Sequence, residues 1–205
     1  MYIPSFNKIE DLREAINFMQ RYSFATIVSV KDGIPVATHL PFLVKQKGDK
    51  VILSSHFAKA NPQSEDIVNN IGLVIFTEPH AYISPKNYEK EQSVPTWNYL
   101  AVHAYGKCTL LEGKENKAAL LKEMIKYYDA DYLKQWVGLP DDYKQKMMKG
   151  IVAFEMVVDD LQAKAKLSQN RTEKERENII HELSSAENSN EKDIAEYMKA
   201  LKRSD

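Results

Sequence analysis

Residues 24–44 read FATIVSVKDGIPVATHLPFLV, two runs of apolar and β-branched residues on either side of an Asp-Gly pair at positions 32 and 33. Such a pair between two strand-like runs is a strong signal for a tight β-hairpin. The segment KQKGDK (45–50) has turn composition and leads into VILSSH (51–56). The sequence therefore predicts antiparallel strands joined by short turns from residue 24 onward.

Further periodic segments complete the predicted fold. Strands are expected at 71–79, 100–110 and 151–161, and helices at 8–21, 115–128, 140–150 and from Thr172 onward. Asn7 and Glu10 resemble a capping box for the first helix. About six such strands commonly avoid open edges by closing into a barrel. We therefore predict an α+β fold, an antiparallel β-barrel with peripheral helices and a C-terminal helical tail.

Composition narrows the functional classes. The chain has 205 residues and a net charge of -1, from 28 Lys+Arg against 29 Asp+Glu. This balance gives no sign of a clustered Lys/Arg surface for binding nucleic acid, so DNA contact is not readable from the sequence. The single cysteine, Cys108, excludes an intramolecular disulfide and fits a reducing compartment. No signal peptide or membrane span is evident, so we expect a cytoplasmic protein.

The stretch LSSHFAKANPQ (53–63) gathers polar side chains at a predicted strand end. Ser54, Ser55 and Lys59 precede Asn61, which stands at a predicted helix start. Hydroxyls, an ammonium group and free N–H groups at a helix start suit a phosphate. A polar strand end with an ordinary helix cap explains the same pattern equally well. No glycine-rich phosphate loop or dinucleotide fingerprint occurs in the chain.

The histidines and the aromatic loop leave further alternatives. His39, His56, His80 and His103 match no zinc spacing, and we predict neither a metal site nor a catalytic triad. His39 lies in a strand otherwise fit for burial, so it needs a polar partner. Residues 80–97 are expected to form a loop. Its aromatic residues and those beside it either pack on one another or wall a pocket for a flat ring: Tyr82, Tyr88, Trp97 and Tyr99.

Six blocks in order resemble the PaiB family, from Met1 to about Arg171: MYIPSFNK, THLPFLV, SHFAKANPQ, EPHAYISPKNY, VPTWNYLAVHAYGK and AKLSQNR. The resemblance implies an FMN-binding split barrel in residues 1–170, with 171–205 as a helical C-terminal extension. It also implies a negative regulator of sporulation and extracellular protease production.

The resemblance further implies that FMN lies at a homodimer interface. By this resemblance, backbone groups of Thr38, His39 and Leu40 contact the flavin ring. The phosphate is bound by Ser54, Ser55 and Lys59, with Asn61 nearby. Trp97 and Asn98 of the partner subunit lie near the ring, and Lys166 adds a positive charge. Related oxidases carry two adjacent basic residues at the phosphate strand, whereas Lys59 stands between Ala58 and Ala60. We therefore expect that FMN either binds weakly or is absent from the purified protein.

Two functions remain open. The first is a homodimeric transcriptional repressor, whose helical tail either contacts a partner or packs against the barrel. The second is a flavin-dependent oxidoreductase acting on a small planar substrate. No acid–base pair is identifiable, which favours the repressor, although flavin chemistry needs little beyond binding and orientation. A third alternative, a haem-handling protein, would depend on histidine ligation.

Overall fold

The structure, a computed structural model, describes residues 1–201, so residues 202–205 of the predicted C-terminal extension lie outside it. Seven strands form one antiparallel sheet: β1 Phe24–Lys31, β2 Ile34–Pro41, β3 Leu43–Lys47, β4 Lys50–Ala58, β5 Ile71–Ile83, β6 Thr96–Leu110 and β7 Ile151–Lys166. The helices are α1 Leu12–Arg21, α2 Gln63–Asp66, α3 Lys114–Tyr128, α4 Tyr132–Gly138, α5 Asp141–Lys149, α6 Glu173–Ser184 and α7 Ser189–Ala200. No helix in residues 1–201 is both long and apolar enough to cross a membrane.

The predicted Asp-Gly hairpin is confirmed. Lys31 pairs with Ile34, which leaves Asp32 and Gly33 as the two turn residues. Their φ angles are 51° and 78°, the left-handed conformation that a two-residue turn of this kind requires. A second hairpin joins β3 and β4, where Lys47 pairs with Lys50. This turn is therefore shorter than the predicted segment 45–50.

The strand order explains how the sheet closes. The order is β2-β1-β5-β6-β7-β4-β3, so its two ends are β2 and β3. Only Phe42 separates these two strands in the sequence, which requires the sheet to curl until its ends approach. The Ser55 hydroxyl on β4 donates to the Pro41 carbonyl on β2 at 2.7 Å. The closed arrangement agrees with the predicted barrel.

The chain divides into two compact units, which we describe separately. Among the described residues, unit 1 comprises 1–15, 77–102 and 162–201, and unit 2 comprises 16–76 and 103–161. The strands β5, β6 and β7 contribute residues to both units. Neither unit coincides with the predicted segments 1–170 and 171–205.

Unit 2 has an aromatic core. Phe42 contacts Phe76 and Phe154 edge to face, with ring centroids 5.9 and 6.1 Å apart, and Phe57 stacks on Phe154 at 5.1 Å. Burying four such rings is a large share of the hydrophobic stabilisation. On β6, a Cβ at Gly106 would lie 2.1 Å from the Val157 carbonyl oxygen, so only glycine permits this approach of β6 and β7.

Unit 1 holds the C-terminal helices. Thr172 and Glu175 form a capping box at the start of α6, which explains why the helix begins there. Buried side chains of α6 and α7 form its apolar core, including Ile179, Leu183, Ile194 and Met198. The predicted helical tail is therefore confirmed, and its apolar stripe is packed within unit 1.

The prediction of a capping box formed by Asn7 and Glu10 is wrong. Asn7 lies in a short 3-10 turn, and the Ile9 N–H donates to the Ala163 carbonyl at 3.0 Å. The helix begins at Leu12, because the Asp11 carboxylate accepts the Arg13 N–H at 2.8 Å.

The predicted loop at 80–97 is also wrong in extent. Strand β5 runs to Ile83 and β6 begins at Thr96, so the irregular segment spans only 84–95. Trp97 and Asn98 consequently belong to a strand. Strand β7 continues five residues beyond the predicted end at 161, and α4 was not predicted.

Candidate functional site

The predicted site residues fall into two groups. Unit 2 contains Thr38, His39, Leu40, Ser54, Ser55, Lys59 and Asn61, and unit 1 contains Trp97, Asn98 and Lys166. Each group has its own environment, and each is described within its unit.

A polar network fixes the end of β2 in unit 2. The Thr38 hydroxyl donates to Gln63 Oε1 at 2.6 Å, and Asn61 Nδ2 donates to Thr38 Oγ1 at 2.9 Å. Asn61 Oδ1 in turn accepts the Gln63 N–H at 3.0 Å. Gln63 is buried, and its Nε2 also donates to the Val36 carbonyl at 3.1 Å. The network holds β2 and the segment after β4 in a fixed geometry.

His39 and Leu40 differ from each other in exposure. The His39 side chain is exposed, so the expectation of a buried imidazole is wrong. The ring has the polar partner that was expected, because Thr26 Oγ1 and His39 Nδ1 lie 2.8 Å apart. It also stacks on Phe24 at 6.4 Å. Leu40, by contrast, is buried in the core.

The two serines of β4 already donate their protons elsewhere. Ser55 is 0% exposed and its hydroxyl donates to the Pro41 carbonyl. Ser54 is also buried and donates to Glu155 Oε1 at 3.2 Å. A phosphate oxygen needs donors, so neither hydroxyl is available to it in this conformation. Lys59 is exposed, and its ammonium group is the donor that this strand end presents to solvent.

The helix predicted after Asn61 is one turn long. It is α2, with four residues, so the axial dipole expected to favour a phosphate is not developed. His56 is a feature of the same strand that the sequence analysis did not assign. Its Nδ1 is buried without a hydrogen-bond partner, and burial lowers the pKa of its imidazole. Buried polar atoms are usually paired, so this nitrogen is an exception within the described chain.

Trp97 in unit 1 is not a core residue. Its side chain is 52% exposed, and it packs against Tyr82 edge to face at 5.7 Å and against His80 at 5.9 Å. Two of the four predicted aromatic residues thus contact each other. The other two, Tyr88 and Tyr99, each make a cation–π contact. The Arg171 guanidinium lies 3.7 Å from the Tyr88 ring centroid, and Lys164 Nζ lies 5.0 Å from the Tyr99 ring centroid.

Asn98 and Lys166 have internal partners. Asn98 is 0% exposed, and its Oδ1 accepts the Ser168 hydroxyl at 3.1 Å. Lys166 Nζ donates to the Trp97 carbonyl at 2.6 Å and to the Thr96 hydroxyl oxygen. Asn98 is therefore held by a hydrogen bond inside unit 1, and it lines the same cavity as Lys166.

That cavity, which we call the lysine cavity, lies within unit 1 and has a volume of about 320 Å³. Its walls come from the first residues of the chain, the segment 94–98, the end of β7 and the turn that follows: Tyr2, Pro4, Phe6, Asn7, Val94, Pro95, Thr96, Asn98, Lys164, Lys166, Ser168, Gln169, Asn170 and Arg171. Burial lowers the pKa of Lys166, and the nearby charges of Lys164 and Arg171 lower it further.

Lys164, Arg171 and Asn7 also line the cavity, although the sequence pattern did not predict them as site residues. Lys164 and Lys166 alternate in AKAK, which places both side chains on one face of a strand. This signal was lost because the strand was predicted to end at 161.

Metal and thiol chemistry find little support in the described chain. Among residues 1–201, no group of three or more His, Cys, Asp or Glu side chains is arranged to hold a metal ion. Cys108 is buried, and burial raises the pKa of its thiol to about 12. It is therefore a protonated core residue and not a reactive thiolate.

Comparison with known proteins agrees with this architecture. Flavocytochrome Anf3 from Azotobacter vinelandii has a TM-score of 0.62 at 13% identity, over 80% of this chain and 72% of that chain. The FAD and heme binding protein from Mycobacterium smegmatis has a TM-score of 0.61 at 14% identity, over 78% and 73%. At these identities the likeness shows the fold, which is the predicted split barrel.

The sequence comparisons show the family. Residues 1–160 match the family described as "Putative FMN-binding domain". The protease synthase and sporulation protein PAI 2 of Bacillus subtilis (strain 168) is 43% identical over 206 aligned residues, which cover 97% of this chain and 96% of the relative. The chain therefore belongs to the PaiB family of split-barrel proteins with an FMN-binding domain.

Proposed function

We propose that this chain is a cytoplasmic negative transcriptional regulator of sporulation and protease production, and that it works as a homodimer with FMN at the subunit interface. The observation that carries the proposal is the 43% identity to the PAI 2 protein over 97% of the chain.

The residues of unit 2 fit the phosphate end of FMN in part. Lys59 offers an exposed ammonium group, and the Thr38–Asn61–Gln63 network keeps the adjoining strand end rigid. The unpartnered His56 Nδ1 adds a polar atom without a role in the fold. We assign Lys59 to the phosphate and the backbone of Thr38, His39 and Leu40 to the flavin. With one lysine against a phosphate dianion, the proposal includes weak binding.

Bound FMN would supply a ring that accepts and returns electrons. The chain's own residues bind and orient it. We propose that FMN serves as a sensed ligand.

Complementation in Bacillus subtilis tests the proposal. A strain lacking the PAI 2 protein would express this chain, and secreted protease and spore yield would be measured. We expect this chain to lower both relative to an empty vector. Equal protease and spore counts at verified expression would contradict the regulatory role.

A spectroscopic assay separates the regulator from the flavin-dependent oxidoreductase. Purified protein with FMN receives NAD(P)H under air while the flavin absorbance is followed. The regulator predicts no sustained NAD(P)H consumption above free FMN. Rapid bleaching with reoxidation over many turnovers would establish the enzyme instead.

A further inference from the structure

We infer that the lysine cavity is a binding site for a small hydroxylated phosphate ester, separate from the FMN phosphate site proposed at Lys59. Lys166 and Asn98, which the resemblance placed near FMN, line this cavity and are assigned to it instead. The inference is independent of the proposed function, because it rests on contacts within unit 1 alone. Four observations support the inference: the excess of positively charged side chains in the cavity, a buried polar atom without a partner, a rigidly held turn in the cavity wall, and the volume of the cavity.

The charged side chains that line the cavity are all positive. Lys164, Lys166 and Arg171 all line it, and none of its lining residues is Asp or Glu. Lys164 is the most informative of the three because it is only 7% exposed. Burying an ammonium group without an opposite charge is costly, so a bound anion would recover part of that cost.

The contacts of Lys164 are with neutral groups. Its Nζ donates to the Tyr2 carbonyl at 3.3 Å and lies 5.0 Å from the Tyr99 ring centroid. An ammonium group carries three donors, so capacity remains for a ligand oxygen. Lys166 is held beside it by the Trp97 carbonyl. The lowered pKa of Lys166 reflects in part the repulsion among these cations, which an anion would relieve.

Asn7 supplies a second, independent observation. The side chain lines the cavity and is 4% exposed, yet its Oδ1 has no hydrogen-bond partner. Buried amide oxygens are nearly always paired, so this one indicates a partner that the chain itself does not provide. A ligand hydroxyl would satisfy it. The ligand should therefore carry a hydroxyl group as well as an anion.

The turn that forms one wall is held rigidly. Gln169 Oε1 accepts the Leu167 N–H at 2.7 Å, and Gln169 Nε2 donates to the Ala165 carbonyl at 2.5 Å. Ser168 has a φ of 58°, a left-handed conformation that a non-glycine residue adopts at some energetic cost. Such local strain is often found at binding sites, where it fixes side chains before the ligand arrives.

Size and charge together indicate the ligand class. Three cations match a phosphate dianion better than a single carboxylate. A volume of about 320 Å³ lies at the lower end of the range for small-molecule pockets, so it accommodates more than inorganic phosphate. A sugar phosphate meets all of these requirements.

Calorimetric titration with ribose 5-phosphate tests the inference, with ribose and inorganic phosphate as matched probes. We expect ribose 5-phosphate to bind more tightly than phosphate, and ribose to give no measurable binding. Lys164→Met and Lys166→Met should each weaken binding about tenfold or more, because each removes a charged hydrogen bond. Lys192→Met, which changes an exposed lysine of unit 1 outside the cavity, should leave binding unchanged.

Two outcomes would overturn the inference. One is no binding of ribose 5-phosphate at millimolar concentration, or equal loss in all three variants. If Lys164→Met does not fold, the more exposed Lys166→Met carries the comparison.

The other outcome concerns FMN, and it is distinguishable from failure of the FMN proposal. Repeating the titration with FMN present should not change the affinity for ribose 5-phosphate. Competition between them, together with loss of FMN binding in Lys164→Met, would make the cavity part of the flavin site and refute a separate one.

Discussion

The Ser168 hydroxyl donates a hydrogen bond to Asn98 Oδ1 at 3.1 Å, and both residues are buried in unit 1. The bond joins β6 to the turn that follows β7. Because this turn also carries Gln169 and Arg171, the pair sets the position of one wall of the lysine cavity.

Two substitutions of Ser168 should distinguish the contribution of its hydrogen bond to stability from the cost of its backbone strain. Ser168→Ala leaves the buried Asn98 oxygen without its donor, and we expect a loss of about 1–3 kcal/mol in unfolding free energy. Ser168→Gly loses the same bond but suits the φ of 58°. We therefore expect the glycine variant to be roughly 1 kcal/mol more stable than the alanine variant in urea unfolding. An alanine variant as stable as the glycine variant would show that no strain is stored there.

The partly buried imidazole of His56 should make stability depend on pH. Burial lowers its pKa below the ordinary value of 6.5, so between the two pKa values the folded chain binds fewer protons than the unfolded chain. Unfolding free energy should consequently fall as the pH falls below about 6.5. His56→Gln removes this titration, and urea unfolding at several pH values should give a shallower dependence. A slope equal to that of the unmodified chain would contradict the assignment.

Trp97 should matter more for binding than for folding. Trp97 is 52% exposed, so Trp97→Ala removes less buried area than the loss of a core aromatic ring. We expect a small fall in melting temperature and a clear loss of FMN affinity. Phe154→Ala is the matched control, because that ring is 0% exposed and its removal should cost about 3–5 kcal/mol. A comparable collapse of folding in Trp97→Ala, with FMN binding intact, would show that the indole only fills space.

The elements that the sequence predicted well have local causes. The Asp32-Gly33 turn depends on two left-handed residues, and α6 begins where Thr172 and Glu175 cap each other. Both signals lie within a few residues of chain. The long apolar strands were also found, because alternation and β-branching persist over many positions.

The parts that were missed depend on distant partners. The polar residues near the end of β7 interrupt the apolar pattern, so the sequence did not predict that the strand continues to Lys166. The Asn98 amide oxygen accepts the Ser168 hydroxyl, and the hydroxyls of Ser54 and Ser55 donate to Glu155 and to the Pro41 carbonyl. Such pairings come from the folded chain and have no local signature. Several proposed ligand contacts therefore have structural partners, whereas the lysine cavity was overlooked.

An equilibrium titration with FMN, followed by flavin fluorescence, tests the central claim most directly. The claim is that Lys59 at the end of β4 binds the FMN phosphate. The account predicts saturable binding, weakened about tenfold or more in Lys59→Met by loss of a charged hydrogen bond. Lys47→Met, an exposed lysine at the end of β3, should bind FMN as the unmodified chain does. No saturable binding, or equal affinity in Lys59→Met and the unmodified chain, would contradict the account.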